Sequence, residues 1–220
     1  MEGMPARVRL SLMVVGSLAL AAIVLAVVLA RTQAQDTPVN EDGWAGAISP
    51  AMPAQDFSLR DQDGKRASLA EYRGRNVILT FLYSTCQDTC PVAASTIRAA
   101  LDDLGTDVPT LAVSVDPAND NSLNARRFLL KRGVNGRMRF LLGTQAQLAP
   151  VWKAYGVLPQ RPGKPTADPE FAHSARIVLI DRQGRQCIAF PMEEATPEGI
   201  AHDLRKLQTE ACPANGRPSA

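Results

Sequence analysis

Histidine and cysteine are both scarce in this sequence. The 220 residues include two histidines and four cysteines, which excludes a histidine-rich metal site and a disulfide-dense scaffold. Strong charge of one sign is also missing, because the formal net charge is +2, and this excludes a strongly basic nucleic-acid-binding face as the organising principle of the protein. The sequence contains no phosphate-binding glycine loop, no Gly-x-Ser-x-Gly elbow and no His-Glu-x-x-His motif. These counts leave room for a small thiol site.

The composition is that of a folded protein with one domain and attachments. Hydrophobic residues make up 45% of the chain, which is enough for an ordinary core and excludes global disorder. The charge is unevenly placed, since the first 31 residues carry three basic residues and one acidic residue. The rest of the chain therefore carries 21 of each, and the small positive excess belongs to the N-terminus.

A long uncharged run near the N-terminus predicts a transmembrane anchor. Residues 10–30 carry no charge and, as a helix, would span a hydrocarbon core of about 30 Å. Arg7 and Arg9 precede the run, so the positive-inside rule places residues 1–9 in the cytoplasm. We therefore expect a single-pass protein of the cell (inner) membrane with its folded domain on the extracytoplasmic side.

A cleaved signal peptide is the alternative interpretation of this segment. Thr32 and Ala34 would then form the small-residue cleavage pair, although the apolar part of a signal peptide usually has only about 7–15 residues. Both interpretations export the domain to an oxidising compartment, where free thiols need a reason to stay reduced.

The rest of the chain divides into a linker, a domain and a tail. Prolines and glycines in residues 31–53 predict a linker, residues 54–210 the domain, and residues 211–220 a C-terminal tail. Within the domain, Asp63-Gly64 lies between two short β-rich segments, which is typical of a hairpin.

The pattern of apolar residues predicts an α/β fold. Continuous or alternating apolar runs predict strands at residues 77–83, 110–115, 139–142, 176–181 and 186–190. Helical patterns occupy residues 92–104, 122–132, 145–155 and 196–208. Ser122 is expected to cap the second helix and Gly133 to end it. Pro150 means that the third helix either starts late or is kinked. This order predicts a thioredoxin-like mixed sheet with helices on both faces.

Two cysteines stand where such a sheet places its functional groups. Cys86 and Cys90 follow the first long strand and enter a helix. The i, i+4 spacing brings both sulfurs to one side, and a helix N-terminus favours the thiolate form. Thiolates bind soft metals and also attack disulfides, so both functions stay open. A structural disulfide, or two buried cysteines without a role, is the simpler alternative.

Two further side chains are candidates for the same site. His173 comes just before a strand that we expect beside the first long strand, and two thiolates with one imidazole suit copper(I). An ordinary loop histidine is the alternative. Asp88 lies between the cysteines, where it either tunes the thiolates or contacts a partner, or is simply a solvated turn residue.

The remaining cysteines and the second histidine are expected outside that site. Cys187 lies on a late strand and Cys212 just beyond the last helix, so a structural disulfide between them would join the helix to the sheet. Four cysteines allow three pairings, and the sequence does not choose among them. We expect His202, in the last helix, to be a surface residue.

Four motifs, in order, resemble the Sco/SenC family of copper chaperones for cytochrome oxidase. The first is FLYSTCQDTCP at residues 81–91, which resembles the family's Cys-x-x-x-Cys-Pro signature. The others are SVDPANDN at 114–121, KAYGV at 153–157 and HSARIVLIDRQGR at 173–185. The resemblance covers about residues 54–208.

The resemblance implies a thioredoxin-like fold and a copper site formed by Cys86, Cys90 and His173. It also implies a role in building the dinuclear copper centre of cytochrome c oxidase. Asp88 matches an acidic position often found between the family's cysteines. The sequence departs from the family at Gln87, where a proline is common, at Pro150, and in having Cys187 and Cys212.

Two functions are therefore expected from the sequence. The first is a copper metallochaperone without turnover, whose partners are the copper-centre subunit of the oxidase and a further copper chaperone or thiol reductant. The second is a membrane-anchored thiol–disulfide oxidoreductase that reduces partner cysteines or senses redox state. Cys-x-x-x-Cys is one residue longer than the usual oxidoreductase motif, which favours metal. A peroxiredoxin-like peroxidase would need a Pro-x-x-x-Thr-x-x-Cys motif, and no proline precedes Cys86 at that distance.

Overall fold

The computed structural model describes residues 6–33, 37–159 and 174–213, which belong to two compact units. The first unit, residues 1–37, contains helix α1 (Ala6–Gln33). The predicted anchor at residues 10–30 lies in α1. Among the helices of the described residues, none combines the length and the hydrophobicity that a membrane-spanning helix requires.

An eight-stranded mixed sheet forms the centre of the second unit. The sheet order is β1-β8-β7-β4-β5-β6-β2-β3, in which β4, β5 and β6 are parallel and the other pairs antiparallel. This confirms the predicted mixed sheet. The strands are β1 (Ala47–Pro53), β2 (Ser58–Asp61), β3 (Arg66–Ser68), β4 (Val77–Leu82), β5 (Thr110–Ser114), β6 (Met138–Leu142), β7 (Arg176–Ile180) and β8 (Arg185–Pro191).

Four helices and one short 3₁₀ turn (Leu69–Tyr72) accompany the described strands. The helices are α2 (Thr89–Leu104), α3 (Ser122–Arg132), α4 (Gln145–Ala154) and α5 (Pro197–Thr209). The α3 cap is Asn121, not the predicted Ser122, because the Asn121 side chain accepts a hydrogen bond from the Asn124 N–H at 3.0 Å. Pro150 lies inside α4, so the predicted late start is wrong.

The core is deepest at the two central parallel strands. Every side chain of β4 and of β5 is buried, so both faces of the sheet are covered there. Continuous apolar runs such as VILTFL are typical of strands in this position. The ends of β4 and β5 are consequently held rigidly, and the loops that follow them start from fixed points.

The predicted linker at residues 31–53 is wrong for its second half. Residues 47–53 form β1, which pairs with β8, and Trp44 is buried. The buried carboxylate of Asp203 accepts hydrogen bonds from the N–H groups of Ala45 and Gly46, both at 2.9 Å. These bonds and β1 make residues 44–53 part of the folded domain. Proline and glycine content misled the prediction because an edge strand tolerates both.

Candidate metal centre

The candidate site lies where β4 and β5 end. Because these strands are parallel neighbours, the loops after them meet at one edge of the sheet. The Asp120 carboxylate joins the two loops. It accepts a hydrogen bond from the Ser84 N–H at 2.7 Å, and also bonds from the hydroxyls of Ser84 and Ser114. The chain that leads into Cys86 is therefore fastened to the end of β5.

Cys86 and Cys90 are both free and buried in this structure. Cys90 lies in the first turn of α2, and its backbone N–H donates a hydrogen bond to Cys86 Sγ at 3.2 Å. The Cys90 side chain is fully buried, whereas 4% of Cys86 is exposed. The two thiols therefore differ in access, and Cys86 is the one that solvent reaches.

The surroundings also separate the two thiols chemically. The pKa of Cys86 is lowered to about 6, first by a hydrogen bond with the Cys90 side chain. Burial opposes this lowering, and backbone N–H groups and the Tyr83 side chain assist it. Burial raises the pKa of Cys90 well above its usual value. At neutral pH, Cys86 is the thiolate and Cys90 the proton donor beside it.

Two side chains at this site were missed by the sequence-based reasoning. These side chains are Asp120 and Tyr83. Burial raises the pKa of Asp120 to about 6, although hydrogen bonds from Ser114 and Ser84 act in the opposite direction. Burial and the neighbouring Cys86 raise the pKa of Tyr83. Asp120 lies in the SVDPANDN motif directly after a buried strand, so its position could have marked it.

Asp88 stands at the start of α2 without capping the helix through its side chain. It is exposed, and its backbone N–H is one of the groups that lower the pKa of Cys86. Asp88 therefore affects the pKa of Cys86 through its main chain. A role of its carboxylate toward metal or partner stays a prediction.

The predicted third ligand, His173, lies outside the described residues. The chain resumes at Ser174, whose Oγ accepts a hydrogen bond from the Leu158 N–H at 3.0 Å. Strand β7 runs antiparallel to β4, with Ile177 opposite Thr80. The start of β7 therefore lies at the edge where β4 ends, which is the edge that carries Cys86.

Cys187 and Cys212 are joined by a disulfide that is remote in sequence from Cys86 and Cys90. Their Cα atoms are 5.3 Å apart, and the bond joins β8 to the segment after α5. Asp181 lies beside the two sulfurs, but its carboxylate pairs with Arg185 at 2.7 Å. His202 is half-buried and its Nδ1 lies 2.9 Å from the Asp203 carboxylate, so it is not a free surface side chain.

Comparison with known proteins identifies the family of this domain. A family model described as SCO1/SenC matches residues 46–209. The chain belongs to the SCO1/SenC family. The SCO1/SenC match starts before the predicted domain boundary at residue 54 and includes all of β1, in agreement with the fold. The resemblance drawn from the four sequence motifs is thereby confirmed.

Individual SCO1/SenC relatives are distant in sequence. The SCO1 protein homolog of Bacillus subtilis (strain 168) is 24% identical over 160 residues, which cover 70% of this chain and 81% of the relative. The mitochondrial protein SCO1 homolog 1 of Arabidopsis thaliana is 27% identical over 146 residues, covering 64% of this chain and 42% of the relative. The chain thus spans less than half the length of the plant relative.

A solved structure of Bradyrhizobium japonicum ScoI with copper bound superposes on the domain. It is 30% identical, with a TM-score of 0.55, and the match covers 71% of this chain and 99% of that chain. The mixed α/β fold described above is therefore that of the SCO1/SenC structures.

Proposed function

We propose that the protein is a copper metallochaperone that binds one copper(I) ion through Cys86, Cys90 and His173. The observation that carries this proposal is the pair of free, buried thiols at the start of α2, one of which is stabilised as a thiolate. The copper bound to B. japonicum ScoI supports it.

The donor set suits a soft ion. Thiolate sulfur prefers copper(I), and imidazole is a compatible third ligand. Cys86 offers a thiolate at neutral pH, whereas Cys90 must lose its proton when a metal binds. Binding at neutral pH therefore releases the proton of Cys90. The burial of both sulfurs favours a low coordination number by keeping water out.

Copper titration of the reduced full chain tests the ligand set. We expect one copper(I) per chain, and a sharp loss of affinity in Cys86→Ser, Cys90→Ser and His173→Ala. His202→Ala is the matched control, because it removes the other histidine of the chain and should leave the stoichiometry unchanged. Undiminished affinity in His173→Ala would contradict the three-ligand site.

We further propose that the copper is delivered to the dinuclear copper centre of cytochrome c oxidase. Family membership supports this role. Mixing the copper-loaded chain with the copper-free, reduced copper-centre subunit should transfer copper(I), which metal analysis of the two separated proteins would report. Copper that stays on the chain in the presence of that subunit would contradict delivery, and another copper chaperone would then be tested as acceptor or donor.

A thiol–disulfide oxidoreductase is the second candidate, favoured by the lowered pKa of Cys86. A thiolate beside a second thiol can attack a partner disulfide and be resolved by its neighbour. Disulfide exchange should survive His173→Ala and disappear in Cys86→Ser. Copper binding without any exchange would leave only the chaperone function.

Membrane anchoring through residues 10–30 remains part of the proposal. Its support is the run of residues without charge, preceded by Arg7 and Arg9. Fractionation of cells that express the full chain tests it. We expect the protein in the membrane fraction after a carbonate wash, and release into the soluble fraction would contradict the anchor.

A further inference from the structure

A cleft of about 590 Å³ opens beside Cys86. One wall is the turn that contains Cys86, and the other is one face of α3. The cleft is within the size range of sites that bind small molecules. Cys86 lines the first wall, and Arg127, Phe128, Lys131 and Arg132 line the second.

The α3 wall of this cleft is strongly positive. Arg127 and Lys131 are four residues apart and so lie on the same side of the helix, with Arg132 next to them. Among the described residues that line the cleft, none is acidic. Arg127 and Lys131 are exposed and form no ion pair with another described residue.

Arg132 is held in place by packing instead of by a carboxylate. Its guanidinium lies over the Phe128 ring, 5.9 Å from the centroid, and its buried Nε has no hydrogen-bond partner within the described part of the chain. Three cations without acidic partners thus share a cleft with a reactive sulfur. Such an arrangement attracts anions, and an anion that carries a sulfur of its own would be brought next to Cys86.

We propose that this cleft binds small thiol compounds that carry carboxylates and that these reduce the Cys86–Cys90 disulfide. The inference rests on the proposed function, because copper binding needs both thiols reduced in an oxidising compartment. Cys86 lines the cleft and Cys90 does not, so the incoming sulfur meets Cys86 first. The carboxylates bind Arg127 and Lys131 while the thiolate reaches Cys86 Sγ.

The exchange proceeds in two steps. The ligand thiolate attacks Cys86 Sγ, the Cys86–Cys90 bond breaks, and Cys90 leaves as a thiolate that takes up a proton. A second ligand thiolate then attacks the ligand sulfur of the mixed disulfide and releases the Cys86 thiolate. Two thiols are oxidised to one disulfide, and the protein disulfide is reduced to two thiols.

The test compares thiols of different charge on the oxidised full chain. In the reacting thiolate form, glutathione also carries two carboxylates, mercaptoethanol carries only the negative charge of its sulfur, and the ammonium of cysteamine balances that charge. At equal thiolate concentration, glutathione should reduce the Cys86–Cys90 disulfide faster than cysteamine does. Mass analysis after alkylation measures the rate. The rate advantage of glutathione should shrink at high salt, since exposed charges are screened.

Charge reversal on α3 makes the test specific. In the Arg127→Glu/Lys131→Glu double variant the glutathione rate should fall about tenfold, the mercaptoethanol rate should fall less, and the cysteamine rate should change least. Arg126→Gln is the matched control, because Arg126 is exposed on the same helix and pairs with Asp63 outside the cleft. Circular dichroism checks that each variant is folded. The inference is wrong if the rates do not depend on the charge of the thiol. It is also wrong if Arg126→Gln changes them as much as Arg127→Glu/Lys131→Glu does.

Copper titration of the wild-type reduced chain separates this inference from the proposed function. If the chain binds copper but shows no preference for anionic thiols, the proposed thiol-binding role of the cleft is wrong and the metallochaperone proposal stands. A chain that prefers anionic thiols but binds no copper contradicts the metallochaperone and leaves the cleft as the entry site of an oxidoreductase.

Discussion

The Cys90 backbone N–H donates a hydrogen bond to Cys86 Sγ across 3.2 Å. The second cysteine of the motif therefore supports the negative charge of the first, through its main chain and through its side chain. The same residue is itself too buried to ionise easily. Spacing of four residues at a helix start thus produces one reactive and one protected thiol.

The first prediction concerns the acidity of Cys86. Alkylation of the reduced chain by iodoacetamide should rise with pH and reach half its plateau at about pH 6. Cys90→Ala should move this midpoint upward because it removes the side-chain hydrogen bond, and Cys90→Ser should move it less. Peptide mass spectrometry resolves Cys86 from the other cysteines. A wild-type midpoint near the ordinary thiol value of roughly 8.5 would contradict the described surroundings.

The second prediction concerns Asp120, whose pKa rises from 3.8 to about 6 on folding. Below the unfolded value both states are protonated, and the neutral carboxyl imposes no penalty. As pH rises through about 6, the folded carboxyl ionises in a buried place and stability is lost. We therefore compare the melting temperature of Asp120→Asn with that of wild type at two pH values. The difference should favour the variant more at about pH 7.5 than at about pH 4.

Asp103→Asn serves as the control for that measurement. Asp103 is half-exposed and pairs with Arg205 at 3.0 Å, so its replacement should shift the melting temperature only slightly. A melting difference between Asp120→Asn and wild type that is constant across this pH range would show that Asp120 does not titrate as described.

The third prediction concerns the anchor of the N-terminal strand. Asp203→Ala removes the acceptor of two N–H groups, the buried one of Gly46 and the partly buried one of Ala45. We expect a loss of about 2 kcal/mol or more in the free energy of unfolding, measured by urea denaturation. Asp103 is half-exposed, so Asp103→Ala should lower the free energy of unfolding by less than about 1 kcal/mol. Equal losses in the two variants would argue against the buried network.

The fourth prediction concerns the disulfide. Cys187→Ser/Cys212→Ser opens a loop of 25 residues, and the chain-entropy model gives a loss of about 3 kcal/mol. Urea denaturation measures this loss. Copper stoichiometry should stay at that of the wild type, because β8 and the end of α5 are separate from the Cys86 turn. Reduced copper binding in the folded double variant would link the disulfide to the metal centre.

Much of the fold was predictable because the central strands are continuous apolar runs. β4 and β5 need burial on both faces, and only a covered sheet provides it. The hairpin at Asp63-Gly64 was likewise predictable, and Gly64 adopts a φ of 77°. By contrast β1 was missed, because a short edge strand with two prolines carries no periodic pattern and depends on the distant Asp203.

The candidate site was predictable in its thiols and not in its surroundings. Cys86 and Cys90 stand out by rarity and spacing, whereas the asymmetry between them arises from burial that the sequence does not display. Asp120 acts by joining two loops, Ser84 in one and Ser114 in the other. Such a contact is created only when parallel strands bring their ends together.

The bonds from Ala45 and Gly46 to Asp203 have a practical consequence for shortening this protein. A chain that began at residue 54 would lack β1 and leave the Asp203 carboxylate without those two donors. It would also leave β8 as an open sheet edge, a template on which other chains can pair and aggregate. A shortened form should therefore retain the residues from Pro38 onward.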